Sequence, residues 1–343
     1  MSKAATSAQR LSELGLISKD EAAALKDVES KFSTRLSPEV LRQIKTASFD
    51  DPIFRQYVPS VEERTVRDDE LADPIGDTPH QKVKGVIHRY PDRLLLTPTH
   101  TCQVYCRFCF RREKVGSALT LTKAELDAAY RYIDAHNEVH EVILTGGDPL
   151  VLSDRRLGEI IARLSAIPHI TVLRIHTRVP LAQPERITSD LLKALKTKLA
   201  LYMVIHVNHA AELSPAVCKS LARLVKSGVP LLSQSVLLKG VNNDASVLET
   251  LFRALIANRV TPYYLHHPDR AEGTSHFRVS VAEGQTIMRA LRGRLSGLAQ
   301  PTYVLDIPGG FGKVPVGPDF LKEEAPGQYE IAGPDGRQHR YQD

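Results

Sequence analysis

The sequence predicts an α/β fold, a partial (βα)6 barrel of the TIM type. Short apolar runs typical of strands alternate with helix signals, and the middle runs recur about every 30 residues, the length of a βαβ unit. Helix starts stand between them, such as the capping box of Thr122 and Glu125 and the pair Ser214-Pro215. Right-handed crossovers between such units give a parallel sheet that curls. The strand runs are LLLT from 94, VILT from 142, VLRI from 172, YMVI from 202, LLSQSVLL from 231 and YYL from 263.

The barrel is expected to span residues 76–318, between two extensions. Residues 1–75 show helical apolar spacing, which predicts two or three helices that cover the barrel without contributing chemistry. Residues 319–343 are polar, and the segment YEIAGPDGRQHRY at 329–341 predicts a hairpin around Pro334-Asp335-Gly336.

Composition excludes several classes of protein. The chain has 343 residues, 42% of them apolar, which is enough for a large core. Its first 30 residues contain charges throughout and no long apolar run, so we expect neither a signal peptide nor a membrane span, and a cytoplasmic location. The net charge of +5 is spread along the chain without a block of like charges, which is only a weak signal for nucleic acid and suits anionic small molecules equally well, so neither nucleic acid nor a membrane is expected as a partner.

Three of the four cysteines lie in one short stretch, THTCQVYCRFCFRR at 99–112. In a reducing compartment Cys102, Cys106 and Cys109 are not expected to form disulfides, and an odd number cannot pair internally. Structural zinc normally requires a fourth ligand, which only Cys218 or a histidine could supply. The pattern favours an iron–sulfur cluster held by three thiolates, with one iron open to a reactant. Cys218 lies at helical spacing and is expected to be a small core residue.

Polar and glycine-rich segments follow the predicted strands directly. Because the carboxyl ends of parallel barrel strands meet at one rim, these segments and the cysteine loop are expected to form one site. For any one segment alone, a turn with a helix cap explains the residues equally well. The segments are Gly146-Gly147-Asp148-Pro149, His176-Thr177-Arg178 and His206-Val207-Asn208-His209.

A glycine loop near the end of the chain presents a lysine. The segment LDIPGGFGKVPV at 305–316 is not a nucleotide P-loop, since Val314 and Pro315 follow Lys313 where Ser or Thr and a helix are required. A surface lysine is one interpretation; the other is a Schiff base between Lys313 and pyridoxal phosphate. The phosphate of that cofactor needs cations and donors. The candidates are Arg89, Arg93 and Gln234.

From about residue 40 onward the chain resembles the lysine 2,3-aminomutase family of radical S-adenosylmethionine enzymes. The resemblance lies in the C-x3-C-x2-C spacing and in HRYPDR, LTGGDPL, IHTRVP, SQSVLLKG, YYLHHPDRAEGTSHFR and LDIPGGFGKVPV. It implies a radical S-adenosylmethionine type of barrel with a [4Fe-4S] cluster, S-adenosylmethionine and pyridoxal phosphate as cofactors. The implied cluster ligands are Cys102, Cys106 and Cys109, and the implied cofactor-binding residues are Gly146, Gly147, Asp148, His206, Arg89, Arg93, Gln234 and Lys313.

The resemblance also implies a substrate and a reaction. Arg111 is expected to bind the carboxylate of L-lysine, and Asp269 and Asp306 its ε-ammonium. The reaction is an isomerisation of L-lysine to L-β-lysine, in which an amino group and a hydrogen exchange places on adjacent carbons. Flavodoxin or ferredoxin is the implied electron donor, and a homo-oligomer is compatible with the family.

Two departures bear on the substrate. The chain ends without the C-terminal zinc cysteines of clostridial-type members, and Asp244 stands where a further zinc cysteine is expected. Its shorter length resembles the branch that modifies a lysine of elongation factor P, but the retained Asp306 and PGG loop favour free lysine. A radical enzyme acting on RNA without pyridoxal phosphate and a non-catalytic metal-binding module are the alternatives from other classes.

Overall fold

The computed structural model describes residues 4–116 and 119–343, so the first three residues of the predicted N-terminal extension lie outside it. Within these ranges a ten-stranded sheet follows the order of the chain from edge to edge. Its strands are β1 (Gln81–Val83), β2 (Val86–Tyr90), β3 (Arg93–Thr99), β4 (Glu141–Gly146), β5 (Val172–Thr177), β6 (Ala200–His206), β7 (Leu231–Val236), β8 (Val260–His266), β9 (Thr302–Asp306) and β10 (Lys313–Pro315).

The sheet is parallel in its middle and curls into a partial barrel. Strands β3 to β9 pair in parallel, whereas β1 and β2 at one edge and β10 at the other pair antiparallel. The two ends of the sheet approach each other, because the backbone N–H of Lys313 on β10 donates to the Tyr90 hydroxyl on β2 at 2.8 Å. The predicted fold class is confirmed, and the six predicted strand runs lie in strands of the sheet, except that Leu237 and Leu238 follow the end of β7. Strand β9 adds a seventh parallel strand in the described chain.

Helices connect the parallel strands on the outside of the barrel. Thr122 and Glu125 form the predicted capping box, and Ser214 caps the helix that begins at Pro215. Apolar side chains of these helices and of the strands form one continuous buried core. The helices are α6 (Lys123–Asp134), α7 (Asp154–Ser165), α8 (Val179–Ala182), α9 (Ser189–Ala194), α10 (Pro215–Lys226), α11 (Ala245–Ala257) and α12 (Val281–Leu291).

The N-terminal extension has more helices than predicted. Its described residues form five short helices instead of two or three, because Gly15 ends the first one at a φ of +72° and Pro38 and Pro52 each begin a new one. Apolar side chains of this extension pack against Val104 in the cysteine loop and Ala182 after β5. The helices are α1 (Ala8–Glu13), α2 (Lys19–Ala24), α3 (Lys26–Lys31), α4 (Pro38–Gln43) and α5 (Pro52–Tyr57).

The C-terminal extension forms a small antiparallel sheet of β11 (Leu321–Ala325), β12 (Gln328–Ala332) and β13 (Gln338–Gln342). The predicted hairpin is confirmed, since β12 pairs with β13 across the turn at Pro334-Asp335-Gly336. Strand β11 was not predicted, because LKEEA lacks apolar alternation and is largely exposed. The division of the chain at residues 75 and 318 stays a prediction. No helix in the described ranges is both long enough and apolar enough to cross a lipid bilayer.

A matched pair of helical glycines tests the packing of the barrel. A Cβ at Gly284 on α12 would lie 2.0 Å from the hydroxyl oxygen of buried Tyr303, whereas a Cβ at Gly158 on α7 meets Ala194 Cβ at 3.6 Å. We predict that Gly284→Ala lowers the free energy of unfolding by about 1–3 kcal/mol through overpacking. Gly158→Ala should raise it by about 0.4–1 kcal/mol through reduced chain entropy. Denaturant unfolding followed by circular dichroism measures both, and equal stability of the two variants would contradict the packing.

Candidate active site

Two neighbouring cavities open at the carboxyl ends of the strands and share a wall. The larger has a volume of about 630 Å³, extends into the barrel and contains Lys313. The smaller has a volume of about 170 Å³ and is lined by the three clustered cysteines. Seven of the described residues line both cavities: Phe110, Arg111, Thr145, His176, Gln234, His266 and Asp269. A ligand in one cavity is therefore in direct reach of the other.

The three cysteines of the loop are brought together as predicted. Cys102, Cys106 and Cys109 are free thiols on one cavity wall. Burial raises the pKa of each thiol, that of Cys106 to about 11, and neighbouring thiols add to the effect at Cys102 and Cys106. In the described ranges no group of three His, Cys, Asp or Glu side chains lies close enough to bind a single metal ion. A cubane cluster makes a different demand, because each thiolate binds a different iron, and three thiolates suit three corners of such a cluster.

Cys218 lies away from this cavity. It was expected to be a core residue, but on α10 it is only half-buried, and its Sγ lies 3.5 Å from the Leu213 carbonyl oxygen. Its contacts are those of an ordinary helix residue.

Two arginines within the cysteine loop are buried against one carboxylate. Arg107 donates to Glu63 from Nε at 3.0 Å and from Nη2 at 2.6 Å, and Arg112 also donates to Glu63. Burial alone would raise the pKa of Glu63, but the two guanidinium groups outweigh it and lower the pKa. Glu63 lies in the N-terminal extension, in the 3₁₀ turn Val61–Arg64. The extension therefore holds the cysteine loop in place as well as covering it.

The segment after β4 is pressed against the start of the cysteine loop. A Cβ at Gly147 would lie 2.3 Å from the Thr101 carbonyl oxygen, so this position requires glycine. The buried Asp148 carboxylate accepts hydrogen bonds from Thr177 Oγ1 at 2.7 Å and from the backbone N–H of Arg178 at 2.7 Å. These contacts position the loops after β4 and β5. The predicted contact of Gly146, Gly147 and Asp148 with S-adenosylmethionine stays a prediction.

Arg178 links the cysteine cavity to the end of β6. Its Nη1 lies 3.5 Å from Cys106 Sγ and 2.8 Å from His206 Nδ1, while Nη2 donates to Glu212 at 2.5 Å and to Gln56 at 2.8 Å. Burial, followed by the charge on Arg178, lowers the pKa of His206 well below its usual range. Because a guanidinium can only donate, Nδ1 of the neutral His206 accepts and its proton resides on Nε2. His206 thus offers the smaller cavity a hydrogen-bond donor.

Lys313 and Asp306 face each other across a hairpin. The glycine loop connects β9 to β10, with Gly309, Gly310 and Gly312 at φ values of 87°, 90° and 98°, and Lys313 pairs with Asp306 in the register of the two strands. The Lys313 ammonium donates to the Asp306 carboxylate. Lys313 was expected after a strand; it is the first residue of the returning strand β10.

The two predicted ε-ammonium carboxylates differ in charge state. Burial, followed by the charge on Asp306, raises the pKa of Asp269 to about 7. Burial also opposes ionisation of Asp306, but His266 and Lys313 outweigh it and hold its pKa at about 2. Asp306 is therefore charged at neutral pH, and Asp269 is divided between its two forms. Asp306 lines the larger cavity, and Asp269 lies on the wall that the two cavities share.

The predicted phosphate residues line the larger cavity at two depths. Arg89 on β2 donates to Asp77 at 3.1 Å, and Arg93 lies over the Tyr90 ring at 3.8 Å. Arg89 lies near the end of β2 and Arg93 begins β3, so both stand beside the turn that joins these two antiparallel strands. The larger cavity therefore extends down to the amino end of β3. Gln234 on β7 lines both cavities.

Several residues of the site were not predicted. Arg174 on β5 adds a guanidinium to the larger cavity and pairs with Glu141 at 2.9 Å. The others are Gln56, Glu63, Asp77 and Glu212, which hold the arginines described above. The run of arginines in CRFCFRR was the one signal in the sequence that such partners exist, because buried arginines require carboxylates.

Comparison of the sequence with known proteins shows the class of protein to which the chain belongs. The model of the radical SAM superfamily matches residues 96–252, and the lysine-2,3-aminomutase model matches residues 288–329. The chain is thus a radical S-adenosylmethionine enzyme by class. Within it, the chain belongs to the lysine 2,3-aminomutase family.

Three relatives illustrate the similarity. The L-lysine 2,3-aminomutase of Fusobacterium nucleatum is 41% identical over 80% of this chain and 65% of that protein. The L-lysine 2,3-aminomutase of Methanococcus maripaludis is 42% identical over 79% of this chain and 63% of that protein. The glutamate 2,3-aminomutase of Clostridioides difficile is 36% identical over 94% of this chain and 76% of that protein. The chain therefore spans less than two thirds of the two lysine enzymes.

The cysteines give a direct prediction for metal content. Cys102→Ala, Cys106→Ala and Cys109→Ala should each abolish a reducible iron–sulfur cluster, because each thiolate is one of three protein ligands. Cys218→Ala is the matched control and should keep the cluster. Iron and sulfide content and the visible absorption of anaerobically reconstituted protein measure this. A full cluster in any of the first three variants would refute the ligand assignment.

The raised pKa of Asp269 predicts how amino-acid binding depends on pH. The carboxyl group is protonated below about pH 7 and charged above it, whereas an amine of ordinary pKa stays charged throughout. A ligand whose ammonium group pairs with Asp269 should therefore bind about tenfold more tightly at pH 8 than at pH 6. Asp269→Asn should bind such a ligand more weakly and lose this dependence. A dissociation constant that is flat with pH in the unaltered protein would contradict the prediction.

Proposed function

We propose that this chain is a radical S-adenosylmethionine, pyridoxal-phosphate-dependent aminomutase that interconverts L-lysine and L-β-lysine. One observation carries the proposal: a cavity with a lysine, a carboxylate pair and arginines shares its wall with a cavity lined by three cysteine thiols. These groups suit a covalent anchor for a cofactor, a recognition site for a dibasic amino acid and a cluster site in adjoining cavities. Membership of the family supports the same chemistry.

The residues present fit the three cofactors. Cys102, Cys106 and Cys109 would hold the cluster, and Lys313 would hold pyridoxal phosphate with its phosphate toward Arg89, Arg93 and Gln234. When bound, the cluster and S-adenosylmethionine supply a 5'-deoxyadenosyl radical, and pyridoxal phosphate supplies a carbon–nitrogen double bond that lets the amino group move between adjacent carbons. A one-electron donor such as flavodoxin or ferredoxin completes the proposed system.

Charged side chains of the two cavities orient the amino acid. Arg111 offers a guanidinium for the α-carboxylate, and Asp269 and Asp306 offer carboxylates for the ε-ammonium. Ion pairs at both ends of an extended amino acid hold its middle carbons at a fixed place, which is the contribution of positioning to the rate. The three side chains are shielded from water, with 10% of the Arg111 and Asp306 side chains exposed.

The same charges favour lysine over glutamate, the substrate in the name of one relative. Asp306 stays ionised at neutral pH because its pKa is held near 2. A second substrate carboxylate directed to it would meet a like charge in a cavity of low dielectric constant, at a cost of several kcal/mol. The ammonium of lysine meets an opposite charge there.

Lys313 has to leave Asp306 before that carboxylate can bind a substrate. Its ammonium donates to Asp306 and lies 3.4 Å from His266 Nδ1, so both neighbours hold it in a defined position. Burial, followed by the charge on Lys313, lowers the pKa of His266, which keeps this histidine neutral. His266 therefore adds no positive charge beside the Lys313 ammonium, which Asp306 balances.

The test is turnover by the reconstituted protein with reductant, S-adenosylmethionine and pyridoxal phosphate. We expect conversion of free lysine to β-lysine and poor conversion of glutamate, ornithine and arginine. Asp306→Asn should reduce lysine turnover roughly tenfold to several hundredfold, since one charge-assisted contact in a dry site is lost. Its cluster content serves as the control and should be unchanged.

Two further outcomes decide between alternatives. Lys313→Ala should retain the cluster but lose the pyridoxyl label that borohydride leaves on Lys313 in the unaltered protein, as shown by peptide mapping. A protein that leaves free lysine unchanged but converts a lysine linked to elongation factor P belongs instead to the translation-factor branch. Absence of any pyridoxyl label would favour a radical enzyme of another kind.

A further inference from the structure

One carboxylate connects the two arginines that the proposed function assigns to different ligands. Asp77 Oδ1 accepts from Arg89 Nη2 at 3.1 Å, and Asp77 Oδ2 accepts from Arg111 Nε at 2.7 Å. The Asp77 side chain is 4% exposed, and the two arginine side chains are 11% and 10% exposed. Arg89 comes from strand β2 and Arg111 from the cysteine loop, so the contact joins these two elements directly.

Asp77 is itself held rigidly. The backbone N–H groups of Asp77 and Thr78 donate to the Asp73 carboxylate at 2.8 and 2.7 Å, which closes a turn. Gly76 in this turn has a φ of +64° and packs so closely on the glycine loop that a Cβ would lie 2.6 Å from Gly309. The turn therefore touches the hairpin that carries Lys313 and cannot shift independently of it.

Asp77 lies behind the cavities, not in them. Among the described residues, those that line the larger cavity include Arg89 and Arg111 but not Asp77. Its bond with Arg111 uses the Nε–H, so the terminal Nη groups lie beyond the contact and remain available for bidentate pairing with a carboxylate. A buried guanidinium without such an anchor has several rotamers, and a ligand that selects one of them loses affinity in proportion.

We propose that Asp77 is a positioning residue that fixes Arg111 for the substrate carboxylate and Arg89 for the cofactor phosphate at the same time. This inference rests on the proposed function and deepens it. Because one carboxylate orients both guanidiniums, the cofactor site and the amino-acid site share a structural support. Disturbing that support weakens the binding of the cofactor and of the amino acid together, although Asp77 contacts neither of them.

A purely electrostatic role makes the opposite prediction. Asp77 is a negative charge close to two anion-binding groups, so its removal makes the cavity more positive. If charge alone mattered, Asp77→Asn would bind the phosphate and the carboxylate more tightly. If positioning dominates, the variant binds both more weakly. The sign of the change therefore separates the two roles.

The experiment compares Asp77→Asn with Asp154→Asn in the full, reconstituted chain. Asp154 pairs with Arg186 at 2.6 Å outside the two cavities, so its substitution is the same chemical change at an ion pair with no predicted ligand. Pyridoxal phosphate binding is measured by absorbance titration, which needs no turnover. The kcat and KM for lysine, the iron content and the melting temperature are measured on the same preparations.

For Asp77→Asn we expect the pyridoxal phosphate dissociation constant to rise roughly threefold to tenfold and the KM for lysine roughly tenfold to hundredfold. The rate at saturating lysine should change less than KM, since the lost contact orients the bound ground state as well as the transition state. Iron content should match the unaltered protein. Asp77→Glu keeps the charge but changes the length of the side chain, so its two constants should lie between those of Asp77→Asn and those of the unaltered protein. Asp154→Asn should leave both constants unchanged.

Three results would overturn the inference. These are unchanged constants in a folded Asp77→Asn protein, tighter binding of either ligand, or a loss of cluster and thermal stability that Asp77→Glu does not restore. Failure of the proposed function gives a different pattern, in which the unaltered protein itself neither binds pyridoxal phosphate nor converts lysine.

Discussion

The neutralisation of buried arginines in the cysteine loop constrains the rest of the site. Arg107, Arg111 and Arg112 lie within or just after the three cysteines, and burying a guanidinium without a partner costs several kcal/mol. The carboxylates of Glu63 and Asp77, both N-terminal to the parallel strands, supply the partners. The loop can therefore take its folded form only when the chain that precedes the barrel is in place. The segment between α5 and β1, which carries both carboxylates, is part of the site for this reason, although it lines little of it.

The rim of the barrel is joined by side chains as well as by the sheet. Asp148 after β4 accepts from Thr177 and from the backbone of Arg178 after β5, and Arg178 in turn reaches His206 and Glu212 at the end of β6. Three successive strand ends are thus held in one hydrogen-bonded chain. Such a network fixes the walls of a cavity in advance, so a ligand spends little of its binding energy on ordering them.

Local patterns in the sequence were sufficient for the elements and for the gathering of the cysteines. Strand runs such as VILT and LLSQSVLL and the capping box at Thr122 depend on neighbours in sequence, and each was predicted correctly. The partners of the buried arginines were not predictable, because Glu63 and Arg107 are 44 residues apart and nothing local marks their contact. Prolines and a glycine that divide the N-terminal extension were visible, but their effect on helix number depended on packing. Strand β11 forms through its partner and not through its own pattern.

The ion pair between Lys313 and Asp306 has a consequence for the order in which the protein acquires its ligands. On the proposed assignment, the ammonium of Lys313 is a tethered copy of the group that Asp306 recognises in the substrate. A tethered competitor acts at an effective concentration in the millimolar range or above, so free lysine in solution competes poorly with Lys313 for the Asp306 carboxylate. Once Lys313 is engaged elsewhere, the competitor is gone. Thermodynamic linkage then requires that each ligand favours the other, and the chain without its cofactor is kept from sequestering an abundant metabolite.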